Sequence, residues 1–392
     1  MPTPSPLAAP HPSRIFGLDL LRAGAILITV YGHAAMLVPP AYRSVHNVAI
    51  SAIDGVNIFF VLSGYLIGGI LLKALLSSDK PFSLGHFWMR RWLRTLPAYL
   101  LVLGTVVAVA AWQHRLPAGV GRYFVFSQNL ALAHPTFFPE GWSLAVEEWF
   151  YLLFPVSVLL GVVLVRNRRW AFAGAIGLLL VLPPLFKLYE YRQGLGLSAA
   201  PWDAVYRRIV AARLDAIALG VLGYYVQHYH AALWQRLRRP GLLAAGALLV
   251  ITFLYPKLGP GVLVYNIWFR PLLECLSVLL VLPFAAQLRV ARATGLTRGI
   301  TLISLISYSM YLLNKSILIK LVLPPLLHAV LTPALGPAGW LVAYTLYWGL
   351  LLGGALLLYS YVEVPFMNLR KAFEKPRKAA MSSAKHYVTV GH

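Results

Sequence analysis

Long apolar runs alternate with short polar and basic stretches from Phe16 to Tyr361. A helix that crosses the hydrocarbon core needs about 20 mostly apolar residues. Ten runs read as such helices, at residues 16–37, 50–76, 95–113, 143–165, 170–187, 209–227, 241–256, 262–286, 301–323 and 340–361. The stretch 119–138 is interrupted by Gly121, Arg122, Gln128, Asn129, His134 and Pro135 and is expected as a long loop that dips into the membrane. The pattern predicts an all-α fold, a polytopic integral membrane bundle of about ten transmembrane helices. Residues 1–14 are Pro-rich, without a basic n-region or clear cleavage site, and are expected as a disordered cytoplasmic leader rather than a signal peptide. Residues 15–366 are expected as the transmembrane domain and 367–392 as a basic cytoplasmic tail, with no linker to a second domain and no clear internal repeat.

Composition agrees with a membrane protein. Of the 392 residues, 59% are hydrophobic and 12% charged, and mean hydropathy is +0.71. Soluble domains carry about 25% charge, so a soluble cytosolic enzyme and a disordered chain are both excluded. The lone Cys275 rules out an internal disulfide and a Cys-rich metal site, and no metal is expected. The formal charge of +22 would suggest nucleic acid in a soluble protein, but here the basic residues flank apolar runs. No nucleic-acid partner is expected; the bilayer is. With the N-terminus in the cytoplasm, inner segments hold 21 of the 34 Lys and Arg and outer loops hold 8. This bias predicts both termini cytoplasmic, in a multi-pass protein of the cell (inner) membrane.

Ionisable residues within spans are expensive and point to function by default. In the first span Arg22 and His33 are 11 residues apart. Eleven steps of about 100° bring them to within about 20° of one face, separated by about 16 Å. Asp19, three residues before Arg22, is placed to pair with it. A packed histidine bonded to a backbone carbonyl is the competing reading of His33. Ser63-Gly64 in the second span suits close helix approach more than catalysis. Arg90, Arg91 and Arg94 precede Pro97; their forks suit phosphate, and a basic cluster against anionic lipid is the simpler reading by charge alone. Glu147 and Glu148 lie near the start of the fourth run, where capping and an ion pair are the plain alternative. Arg213 and Asp215 cannot share a helix face, so each wants a partner from another helix. The ninth run carries Ser307-Tyr308-Ser309-Met310-Tyr311-Leu312-Leu313-Asn314-Lys315, and the tenth ends Glu363-Val364-Pro365.

Taken in order, these segments resemble the integral-membrane acyltransferase family 3, which includes bacterial polysaccharide and peptidoglycan O-acetyltransferases. The resemblance rests on Arg22 and His33, Gly55 to Gly64, Arg91 with Arg94, Trp142 to Leu152, Arg213 with Asp215, Ser307 to Leu312, and Glu363 with Pro365. Two positions depart from it. Asn57 stands where an acidic residue is common, and Asn314 where histidine is usual. The resemblance implies a membrane acyltransferase domain over residues 15–366. It implies transfer of an acetyl or other short acyl group from acyl-CoA, above all acetyl-CoA, to a sugar hydroxyl of a cell-envelope or exported glycan, with no permanently bound cofactor. In that scheme His33 is the general base and Glu147 fixes its tautomer or stabilises its charged form. Arg90, Arg91 and Arg94 hold the CoA phosphates, and the pantetheine arm runs past Arg22. Asp19, Ser63, Arg213, Asp215 and Asn314 are substrate or structural residues. The expected partners are acyl-CoA, the glycan acceptor, the bilayer and separate polysaccharide-assembly proteins. A transporter or flippase of a saccharide or lipid is the alternative.

Overall fold

The computed structural model describes residues 14–48, 53–77, 82–194, 203–258, 261–290 and 294–369. Nearly all of the leader and the basic tail expected from the sequence lie outside these residues. Ten principal helices follow one another: α1 Phe16–Ala34, α2 Gly55–Leu76, α3 Leu84–Trp112, α4 Gly141–Val165, α5 Arg168–Arg192, α6 Leu214–Tyr229, α7 Pro240–Leu258, α8 Arg270–Ala285, α9 Gly295–Leu313 and α10 Gly339–Leu358. Among the described residues there is no strand. Local chemistry sets several starts: the Asp54 side chain caps α2, Ser83 caps α3, Asn167 caps α5, and Thr294 with Thr297 forms a capping box on α9.

Eight helical segments among the described residues are long and apolar enough to cross a membrane. They are built on α1 to α5 and on α8, α9 and α10 with their helical extensions. The run expected at 209–227 folds as a shorter helix, α6, and the run at 241–256 as α7, whose apolar part Pro240–Pro256 falls short of a full span. α6 is 16 residues long because the chain ahead of it is drawn into a loop. The Val210 and Ala211 amides donate to the Asn129 and Leu130 carbonyls, at 2.9 and 3.1 Å, and helix begins only at Leu214. Leu164, Leu243 and Leu296 are at least 75% exposed at the bundle surface. In water such side chains would be a liability; in lipid they are the solvent contact. This is a membrane protein.

α2 is the most enclosed of the spans and packs against α1, α6 and α8. Its crossing with α6 is backbone on backbone. A Cβ at Gly64 would overlap the Ile217 carbonyl, and one at Gly220 would overlap the Val61 carbonyl. With lipid on the outside, helices gain little from apolar burial against each other, so close approach through small residues supplies the packing. α1 is held on its other side by α9, α4 lies against α5, and α7 lies against α8.

α9 does not simply end. From Asn314 to Val322 it continues with π-helical pitch, and shorter π-helical stretches follow at Leu327–Leu331 and Tyr359–Glu363. Long π segments are rare and concentrate at functional sites.

Candidate active site

A cavity of about 400 Å³ opens where α1 and α9 end and α2, α4, α6 and α8 begin. His33 is on its wall, in the last turn of α1. The His33 Nδ1 lies 2.5 Å from Asn314 Oδ1. The amide cannot be the other way round, because Asn314 Nδ2 donates to the Met310 and Tyr311 carbonyls at 3.1 and 2.5 Å. An amide oxygen only accepts, so Nδ1 carries the proton, and in the neutral ring the lone pair sits on Nε2. The neutral ring is thus held in the tautomer that presents Nε2 as a base. Asn314, not Glu147, fixes the tautomer. The Glu147 carboxylate makes its hydrogen bonds elsewhere, with Ser63 Oγ at 3.1 Å and Tyr151 Oη at 3.0 Å, so it is not the partner of His33 Nδ1.

The rest of the cavity is a set of charges held in place. Asn57 Nδ2 donates to Glu274 Oε2 at 2.6 Å, while its Oδ1 accepts from the fully buried Arg213. Glu274 also accepts from the Asp54 amide at 3.0 Å and from Arg270 Nε at 2.9 Å. An amide at position 57 suits this bridge, since it donates to the carboxylate and accepts from the guanidinium at once. A carboxylate there would face Glu274 as a like charge. Arg207 reaches across to Asp54 and also donates to Asp203 at 2.9 Å. Its guanidinium lies 5.1 Å from the Trp142 ring centroid. Burial opposes ionisation of Asp54, but Arg207 outweighs it and holds the carboxyl below its ordinary range; the same balance acts on Asp203, with Arg208 adding to it. Glu140, just ahead of α4, accepts from the Ser316 amide at 3.2 Å and its hydroxyl at 2.8 Å. Burial pushes this carboxyl up to about 7.

A second group lies deeper along α1. Arg22 is half-buried, within electrostatic reach of Arg94, Asp19, Arg14 and Arg91. Asp19 does not pair with Arg22. It is taken by Arg14, at 2.6 and 3.0 Å, and by Ser304 Oγ at 2.8 Å. The Arg91 guanidinium stacks 4.1 Å above the Tyr151 ring and its Nε is buried without a hydrogen-bond partner. Among the described residues, the Arg22 and Arg94 side chains make no hydrogen bond or ion pair. Glu148 is occupied by Thr95 Oγ1 at 3.1 Å and Trp92 Nε1 at 3.2 Å. Three guanidiniums thus share a region in which Asp19 is taken by Arg14 and Glu147 and Glu148 are bound to neutral donors. Arg90 is exposed on the same stretch of α3. This is the chemistry of a multivalent anion site.

The structure brings His33, Asn314 and Arg213 to the cavity region and gathers Arg22, Arg91 and Arg94 at the second group, with Glu147 and Ser63 between helices beside the latter. Asp215 belongs to neither; it pairs with Lys187 of α5 at 3.3 Å. Sequence reasoning missed Arg207, Arg208, Asp203 and Glu140 as site residues. The spacing Asp203 to Arg207, one helical turn between two spans, was the available signal.

The domain model of one family matches residues 15–360, most of the chain. The chain belongs to the acyltransferase domain family Acyl_transf_3. This acyltransferase is similar to YrhL of Bacillus subtilis, provisionally named a peptidoglycan O-acetyltransferase: 34% identity over 200 residues, 47% of the chain and 30% of the relative. It is also similar to the peptidoglycan O-acetyltransferase OatA of Listeria monocytogenes, at 31% identity over 177 residues, 41% of the chain and 27% of the relative. A provisionally named O-acetyltransferase of Staphylococcus aureus, SACOL0978, is 33% identical over 168 residues, 39% of the chain and 26% of the relative. The matched stretch spans less than a third of each relative's length. No solved structure matches the chain.

Proposed function

We propose that this acyltransferase moves an acetyl or other short acyl group from acyl-CoA to a hydroxyl of a cell-envelope or exported glycan, within the inner membrane. The observation that carries the reading is the Asn314 contact to His33 Nδ1, which leaves Nε2 without a hydrogen bond among the described residues at a polar cavity, on the same helix as Arg22 of the arginine group. The O-acetyltransferase names of the relatives support an acetyl donor and a sugar acceptor.

The residues act as follows. Arg22, Arg91 and Arg94, with Arg90 beside them, hold the donor's phosphates. The pantetheine arm runs along α1 and brings the thioester toward His33. The acceptor hydroxyl gives its proton to His33 Nε2 as its oxygen bonds to the thioester carbonyl carbon. The C–S bond breaks, and the proton passes from His33 to the leaving sulfur, so the products are the ester and the free thiol. A neutral imidazole is suited to this near pH 7. Arg207, Arg213 and Trp142 shape the acceptor side.

Calorimetric titration of acetyl-CoA into detergent-folded protein tests the donor half without knowledge of the acceptor. Saturable binding that weakens in Arg91→Ala and survives in His33→Ala is expected. No binding to demonstrably folded protein refutes an acetyl-CoA donor. The alternative reading as a transporter or flippase has no observation of its own here, whereas the acyltransferase family accounts for the chain from residue 15 to 360.

A further inference from the structure

The cavity beside His33 holds more cations than carboxylates. Arg207, Arg208, Arg213, Arg270 and Lys315 line it, against Asp54, Glu140, Asp203 and Glu274. Arg207 takes Asp54 and one oxygen of Asp203. Arg270 takes Glu274, and Arg213 reaches the same carboxylate through Asn57. Arg208 has only its share of Asp203. Lys315 makes no hydrogen bond or ion pair among the described residues, and the charges that act on it are Arg208, Glu140, Lys320 and Arg207. Glu140 is tied to Ser316, and Lys320 donates to the Thr136 carbonyl at 2.9 Å. A half-buried ammonium among three like charges, sharing with them the one carboxyl of Glu140, leaves a cationic surplus that an anionic ligand would offset.

The place of that ammonium gives it a meaning. Lys315 is the residue after Asn314, and its charge reaches His33. An imidazolium formed at His33 during transfer meets Lys315 as a like charge. An anion seated between them offsets that repulsion.

Resting on the acyl-transfer reading above, we propose that the acceptor sugar carries an anionic substituent, a carboxylate or a phosphate, that seats against Lys315 and Arg208 beside the hydroxyl to be acylated. A cavity of about 400 Å³ takes one sugar ring with such a substituent. The anion orients the ring and selects among hydroxyls, which a neutral sugar leaves to weaker polar contacts.

Protein in lipid nanodiscs is treated with an amine-reactive reagent, and modification of Lys315 is followed by mass spectrometry with glucose, glucuronate, glucose 6-phosphate or inorganic phosphate present. Charged hydrogen bonds contribute enough that an anionic sugar should protect Lys315 at a concentration about 10-fold lower than glucose. Arg208→Gln should shrink that advantage. Whichever anionic sugar protects identifies carboxylate or phosphate. Titration calorimetry on Lys315→Met, a change that breaks no bond in the structure, gives the comparison without the label: the anion's advantage falls about 10-fold. Equal protection by glucose and the anionic sugars overturns the inference and leaves the acceptor site standing. Inorganic phosphate alone matching glucose 6-phosphate, with glucuronate inert, overturns it in favour of a bare anion site. No protection by any of them, with acetyl-CoA binding retained, removes the sugar site itself.

Discussion

Asn314→Leu is the sharpest perturbation of the base. It keeps the side-chain volume nearly constant and removes the 2.5 Å contact to His33 Nδ1. A hydrogen bond of this kind biases the tautomer by about 0.5–1.5 kcal/mol. At about 1.4 kcal/mol per decade this changes the tautomer ratio by roughly 2- to 13-fold. If only the tautomer is released, kcat should fall by about 10-fold. If the ring also turns from the cavity, the loss should approach the full value of a general base, about 10²–10⁴. The same change also removes the side-chain donation to the Met310 and Tyr311 carbonyls, at about 0.5–1.5 kcal/mol each, although Met310 keeps the backbone N–H of residue 314. Thermal unfolding in detergent is therefore measured beside turnover. Asn314→His, which keeps a ring nitrogen able to accept from Nδ1–H, should retain activity within about 10-fold of the parent. Turnover is read by release of the CoA thiol, and donor affinity by titration calorimetry. A folded Asn314→Leu protein with unchanged kcat refutes the tautomer argument. Loss of acetyl-CoA binding with kcat preserved at saturation would show that Asn314 acts on the donor site instead.

Arg94→Ala should weaken acetyl-CoA binding by about 10- to 100-fold, the worth of charged hydrogen bonds to phosphate, with little change in the melting temperature because Arg94 makes no hydrogen bond or ion pair among the described residues; calorimetry and thermal unfolding together check both halves. Asn57→Asp should destabilise the fold by about 1–3 kcal/mol, since the new carboxylate loses its donor to Glu274, and an unchanged melting temperature would contradict the bridge described here. Glu140 gives a pH dependence of definite sign. Its folded pKa, raised by burial to about 7, lies above the unfolded value, so its contribution is present in acid and lost as pH rises through about 7. Stability measured between pH 5 and 8 should therefore fall less steeply in Glu140→Gln than in the parent, and parallel curves would refute the assignment.

The apolar runs made the helical spans legible, because in lipid each segment must satisfy its own backbone and so declares itself by length. What they did not convey was where helix stops. Residues 209–213 include no Gly or Pro to mark that they form turns, because those turns are imposed by the Asn129 and Leu130 carbonyls, 81 residues away. The same distinction holds at the site. Arg22 and His33 were readable as one face because both lie on one helix, where pitch alone sets geometry. The partner of His33 was not, since choosing Asn314 over Glu147 depends on how α1 sits against α9 and α4. Asp19 went to Arg14, just ahead of α1, rather than to Arg22 on it, because two arginines compete for one carboxylate and spacing ranks neither.

Because Arg22 and His33 ride on a single unbroken helix, α1 is a ruler. Its pitch holds the anion end and the base end about 16 Å apart along the axis, and no rearrangement of loops can shorten it. A donor is thus measured as well as bound. Acetyl phosphate, whose anion and carbonyl are adjacent, engages one end only. A single residue inserted between Ala23 and Gly32 would turn His33 by about 100° relative to Arg22. The reaction would be lost with every side chain of both groups still present.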